Sequence, residues 1–82
     1  MLNVGHNNYV NIEKVTAITN AKSDPIVKLI QRAREEGRLV DCTQGRKRKS
    51  IVVMDSGTII VSSVDTPTLM KRFMDAKKAF RM

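Results

Sequence analysis

Cysteine, aromatic rings and long apolar runs are all scarce in this sequence. Cys42 is the single cysteine, so no disulfide can form within the chain and no cysteine-based zinc cluster can be built. His6 is the single histidine, and one soft ligand of each kind falls short of the four that a typical zinc site takes. A Cys42–His6 nucleophile pair would need contact and an orienting third group such as Asp41. Cys42 reads better as a small buried hydrophobe in a strand. No glycine-rich loop of P-loop or dinucleotide-binding spacing occurs. These absences argue against an enzyme and against any cofactor, metal or small-molecule substrate. Tryptophan is missing, and one Tyr and two Phe are too few for the platform on which single-stranded nucleic acids stack. The longest apolar runs, around Ile51–Met54 and Ile59–Val61, fall far short of the ~20 residues of a membrane span. No stretch resembles a secretion signal. A cytoplasmic protein is expected.

What the chain has in excess is positive charge. Fifteen Lys and Arg oppose eight Asp and Glu, a net charge of +7, with a pI near 10.1. Such a balance is the electrostatic footprint of nucleic-acid binding when the charge is clustered. It is clustered: Gly45-Arg46-Lys47-Arg48-Lys49 places four cations in a row without an intervening acid. They repel one another until an anion arrives, and each phosphate they neutralise releases condensed counterions. Arginine can fork two donors onto a phosphate or a guanine edge. Arg46, Lys47, Arg48 and Lys49 are therefore candidate DNA contacts. A second basic zone comprises Lys71, Arg72, Lys77, Lys78 and Arg81, of which the last three also complement a helix C-terminus. Lys14 stands beside Glu13 and by itself means little.

The 82 residues make one domain, with no repeat, linker or low-complexity stretch. Residues 2–4 and 9–19 lean towards strand, with a turn at Val4–Asn8 and an exposed bend or face at Glu13-Lys14. Asp24-Pro25 reads as cap and first helical residue, followed by Ile26, Leu29, Ile30 and Ala33 at helical spacing and by Gly37 as the stop. Residues 38–43, 50–54 and 58–63 read as strands, the last two joined by Asp55-Ser56-Gly57, a three-residue turn with Gly57 left-handed. Thr66-Pro67 opens a second helix, to about residue 80, with Leu69, Phe73, Ala76 and Phe80 on one face. Met54, Met70 and Met74 read as core filler. The fold class is α+β: a small antiparallel sheet, one helix inserted between strands and one C-terminal helix. The strands at 51–54 and 59–61 are apolar on both faces and need two covers. The second cover is either the C-terminal helix or a neighbouring subunit, and a core this small favours association.

Several spaced residues, taken together, resemble the RemA family of bacterial regulators of extracellular-matrix genes. They are Asn3-x-Gly5, Asn8-x-Val10, Ser23-x-Pro25-Ile26, Ala33-Arg34, Asp41-x-Thr43-x-Gly45-Arg46-Lys47, Asp55-Ser56, and Thr68 with Arg72. The likeness spans residues 2 to about 73. It implies a transcription activator for biofilm matrix expression that binds double-stranded DNA at the nucleoid. It also implies ring-like homo-oligomers presenting a basic surface. The family's DNA-contacting positions fall on Lys14, Arg46 and Lys47. Lys14 and Lys47 stand where family members typically carry Arg, which keeps the charge and gives up the bidentate fork. Arg48 replaces a neutral residue and adds a cation. The alternatives from the residues alone are a low-specificity RNA or nucleoid binder, and an assembly protein with an acidic protein partner.

Overall fold

The computed structural model describes residues 1–80. Arg81 and the side chain of Phe80, both singled out above, lie outside the described residues. In chain order the elements are β1 (Leu2–Gly5), β2 (Asn8–Val10), a 3-10 turn (Ile12–Lys14), β3 (Val15–Asn20), α1 (Asp24–Glu35), β4 (Leu39–Asp41), β5 (Ser50–Met54), β6 (Ile59–Ser62) and α2 (Thr66–Phe80). β1 and β2 form a separate antiparallel hairpin, and the main sheet has the order β3-β5-β6-β4. The class is α+β, with one helix between strands and one at the C-terminal end. The main sheet is mixed rather than antiparallel throughout, because β4 runs parallel to β6. A strand's direction leaves no trace in its hydrophobic period, and β4 has only three residues.

Both helix starts sit one residue from where the Pro signals put them. Ser23 is the N-cap of α1 and Asp24 is already helical, where its carboxylate faces the positive end of the helix dipole. Asp65, not Thr66, caps α2: its carboxylate accepts the Thr68 N–H at 3.0 Å. α1 stops as Gly37 requires. Gly37 sits at φ +71, its N–H reaches the Arg34 carbonyl at 3.2 Å, and the Arg38 N–H reaches the Ala33 carbonyl at 2.8 Å, the paired bonds of a Schellman stop.

The alternation along β5 and β6 builds two cores, one on each face. Ile51, Ile59 and Val61 pack with Ala21, Ile30 and Ala33 beneath α1. Val52 and Ile60 face the other way and pack with Leu2, Val4, Ile12, Cys42 and Leu69 beneath α2 and the hairpin. α2 of the same chain thus supplies the second cover, and these strands do not by themselves require a neighbouring subunit. Met54 fills the core edge as read, whereas Met70 and Met74 are exposed by 40% and 52%. They lie on α2 at the exposed border of the Leu69–Phe73–Ala76 face that the core takes up.

Two fully buried serines fix what gathers at one end of the sheet. Ser50 and Ser62 are cross-strand partners on β5 and β6. The Ser62 hydroxyl donates to the Val4 carbonyl at 2.7 Å and accepts the Val64 N–H at 3.0 Å. The Ser50 hydroxyl donates to the Val64 carbonyl at 2.7 Å and lies 3.0 Å from the Thr66 hydroxyl. Hairpin, sheet and the lead into α2 are stitched together at that point.

Candidate nucleic-acid interface

The connection from β4 to β5 has to pass over β6. β4 ends beside Val61 and β5 begins beside Ser62, so residues 42–49 arch across the C-terminal end of β6. Both feet of the arch are pinned. The Cys42 N–H donates to the Val61 carbonyl at 2.8 Å and the Lys49 N–H to the Ser62 carbonyl at 2.9 Å, while the Lys49 carbonyl accepts the Ala21 N–H at 3.1 Å. Asp41 braces the first foot, accepting the Thr43 N–H at 2.8 Å and the Thr43 hydroxyl at 2.6 Å. Those two bonds hold the Asp41 carboxyl below the usual carboxylate range, with Arg34 and Arg48 adding to the effect. The chain then reverses at Gln44 (φ +55) and Gly45 (φ +78), closed by the Arg46 N–H on the Thr43 carbonyl at 3.1 Å. Two successive positive φ values make this a type I′ turn. Glycine is at home there and Gln44 is held against its preference.

The cations of the loop therefore project from a fixed arch. Arg46, Lys47 and Lys49 are exposed and Arg48 is half-buried. Among the described residues the ion pairs are Lys14–Asp55 at 3.8 Å and Arg38–Glu36 at 2.6 Å, and neither involves the loop. The loop borders two open depressions. One is lined by Asn20, Lys22, Lys47, Lys49 and the Asp65–Pro67 start of α2. The other is lined by His6, Arg46, Lys47, Lys49 and Ser63. Lys22 and His6 thus join the loop, though nothing in the sequence singled them out for this surface. They are 27 and 43 residues from Lys49 in the chain. The pairing of β3 with β5 and the Ala21 N–H on the Lys49 carbonyl bring Lys22 there, and the Ser62 bond to Val4 draws in the hairpin that carries His6.

Lys14 is elsewhere. The register pairs Asn20 with Ser50 at the loop end and Val15 with Met54 at the other. Lys14 therefore lies a β5 length away, about 17 Å at the usual rise per residue. The side chains of Lys14 and Asp55 are 60% and 54% exposed, so their pairing is weak. The cations of α2 divide by use. Arg72 donates to the Asn3 carbonyl at 3.1 Å and ties α2 to β1. Lys77 lies 5.3 Å over the Phe73 ring. Lys71 and Lys78 are exposed.

Cys42 is buried in the core beneath α2, and burial, with the charge of Asp41 second, pushes its thiol up. That shift is opposite to the one a nucleophilic cysteine needs. Among the described residues no three His, Cys, Asp or Glu side chains gather as a metal site, and no helix is long and apolar enough to cross a membrane.

The comparisons with known proteins point to a regulatory protein. The family described as RemA-like, extracellular matrix regulatory protein A-like, matches residues 1–73. A protein of Oleidesulfovibrio alaskensis is 44% identical over 79 residues, covering 96% of this chain and 94% of its own. One from Nitratidesulfovibrio vulgaris is 45% identical over 73 residues, 89% and 83% of the two chains. One from a Synechococcus species is 39% identical over 77 residues, 94% and 86% of the two. All three carry names that assign a regulatory role in provisional terms. The chain belongs to the RemA-like family.

Proposed function

We propose that this protein is a transcription regulator that binds duplex DNA through the arch and works as a ring-like homo-oligomer on extracellular-matrix genes. The observation that carries the reading is the loop itself: four adjacent cations, none in an ion pair among the described residues, held in one conformation by hydrogen bonds at both feet. Preorganised, uncompensated charge favours a polyanion, since binding relieves repulsion without a cost in ordering. The scarcity of aromatic rings favours a duplex over a single strand. Lys14 extends the footprint from the far end of β5.

The ring is supported by the two sheet edges. β3 and β4 are the outer strands, so their outward N–H and C=O groups are open to a further strand. Val40 on β4 is 46% exposed. A shallow apolar depression runs between β3 and α2, lined by residues 15–18 with Met70 and Phe73. Two different surfaces that join head to tail give closed rings when the rotation permits. One DNA would then touch the arches of several subunits, and linked contacts raise apparent affinity without new chemistry.

The test is a mobility-shift titration of Arg46→Ala and Lys47→Ala at two salt concentrations, with circular dichroism as the folding control and light scattering for the mass. The wild type should lose affinity steeply with salt, at a log–log slope of about −0.9 per phosphate contacted. Arg46→Ala should flatten that slope by several units per ring, and Lys47→Ala should act more weakly in the same direction. Wild-type affinity and slope in both folded variants would show that the arch is not the DNA site. Equal competition by duplex, RNA and heparin would show a general polyanion binder. A 9.2 kDa particle at micromolar concentration would exclude the ring.

A further inference from the structure

We propose that His6 and Ser63 complete, with Arg46, Lys47 and Lys49, an oxyanion cradle for a DNA phosphate, and that His6 makes DNA affinity depend on pH. The proposal rests on the DNA-binding reading above and adds to it a contact outside the loop and the condition that governs it.

The depression between the β1–β2 hairpin and the arch collects five side chains: His6, Arg46, Lys47, Lys49 and Ser63. All are donors once the imidazole is protonated, and no carboxylate lines the space. His6 gets there through a backbone that residues other than glycine rarely adopt. His6 lies at φ +51 and Asn7 at φ +64, so the hairpin turn is left-handed at two successive residues with side chains. The Asn8 amide braces it, donating to the Gly5 carbonyl at 3.0 Å and, less closely, to that of His6 at 3.4 Å. Asn and His tolerate this region better than most residues. An Asn-Gly pair would tolerate it at less cost, so the strain buys a ring at that point rather than a better turn. Strained turns that persist tend to mark functional positions. The imidazole Nε2 lies 3.4 Å from the Ser63 hydroxyl, a long contact that a phosphate oxygen could replace or share.

The groups facing His6 are Arg46, Lys47 and Lys49 from the arch and Ser63 from the segment after β6. Lys49 also influences Asp65, whose carboxyl is held below the usual range first by its hydrogen bonds from Thr68 and then by Lys49 and Arg72. An incoming phosphate places negative charge beside the imidazole and so favours its charged form. A proton is therefore taken up with the DNA, and by linkage affinity rises as pH falls. Between pH 6 and 8 histidine is the side chain whose ordinary chemistry changes its charge.

His6 is the only histidine, so its imidazole Cε1–H gives a single nuclear magnetic resonance signal. At constant ionic strength the wild type should bind duplex DNA about tenfold more tightly at pH 6 than at pH 8, the scale of one charge-assisted hydrogen bond. The signal should titrate to higher pH with DNA present. His6→Asn, which keeps the left-handed turn, should lose the gain at pH 6. The amino terminus is common to both proteins and cancels in the comparison. A protein that binds DNA while its His6 titration stays put, or a His6→Asn variant that keeps the pH dependence, would overturn the proposal and leave DNA binding standing. If the wild type binds no duplex at any pH, tripolyphosphate becomes the probe. A raised His6 midpoint with it would support the cradle and remove only the DNA reading, and an unmoved one would remove both.

Discussion

Ser50 and Ser62 show how much can hang on two hydroxyl groups. Each is fully buried, and each closes a contact between segments far apart in the chain, Ser62 across 58 residues. Removing the Ser62 hydroxyl leaves the Val4 carbonyl and the Val64 N–H short of a partner in a place water does not reach. Ser62→Ala should therefore cost about 2 kcal/mol, read as a lower denaturant midpoint at unchanged slope. A cost near zero would mean that the hairpin is not held through this serine. Asp41 makes a different kind of contribution. Its carboxyl is lowered by the Thr43 bonds, so the ionised form is the one the fold prefers. The stabilisation is present above the ordinary carboxylate value and is lost as pH falls through the lowered one. Acid denaturation of Asp41→Asn should accordingly show a shallower loss of stability below about pH 4 than the wild type. The effect should be small, because the side chain is exposed.

At the scale of elements, Asp65 serves two masters with opposite interests. It caps α2 through the Thr68 N–H, and it puts a negative charge beside Lys47 and Lys49. Asp65→Ala should lower the melting temperature by about 5 °C, as cap losses in domains of this size do. The same change should tighten binding to duplex DNA. A variant that melts earlier and binds no better would place Asp65 outside the electrostatic reach of the DNA. The elements were largely legible in the sequence, and the reasons differ from one to the next. α1 declared itself through Ile26, Leu29, Ile30 and Ala33, a period no strand can use, and through Gly37 at its end. Ser23 and Asp65 were missed as caps because Pro25 and Pro67 occupy the second helical position, not the first. The bend at Glu13-Lys14 is a turn of 3-10 helix capped by Asn11. The cationic arch was legible because charge is written in composition. His6 and Lys22 were not, because proximity across the sheet depends on strand order, and strand order follows from which edge β4 takes.

For the whole molecule, the separation of Lys14 from the arch sets a geometric demand. A single duplex segment lying across the arch leaves Lys14 about 17 Å away along β5, half of the ~34 Å helical repeat of DNA. Lys14→Ala should therefore weaken DNA binding less than Arg46→Ala at equal salt, with a smaller change in salt slope. Equal losses would mean that the assembly brings Lys14 of one subunit up to the arch of the next.

The arch over β6 has a consequence for how the molecule breathes. Loops that bind ligands usually open and close independently of the body that carries them. Here the amides of Cys42 and Lys49 are bonded to Val61 and Ser62 of a core strand, so the two ends of the loop can exchange their hydrogens with solvent only when β6 lets go. Their deuterium uptake should be as slow as that of Ile60, despite their place in a charged connection. A ligand on the arch, such as the DNA proposed above, would then act as a clamp on the sheet, and occupancy should raise the melting temperature of the entire domain rather than quiet a single loop.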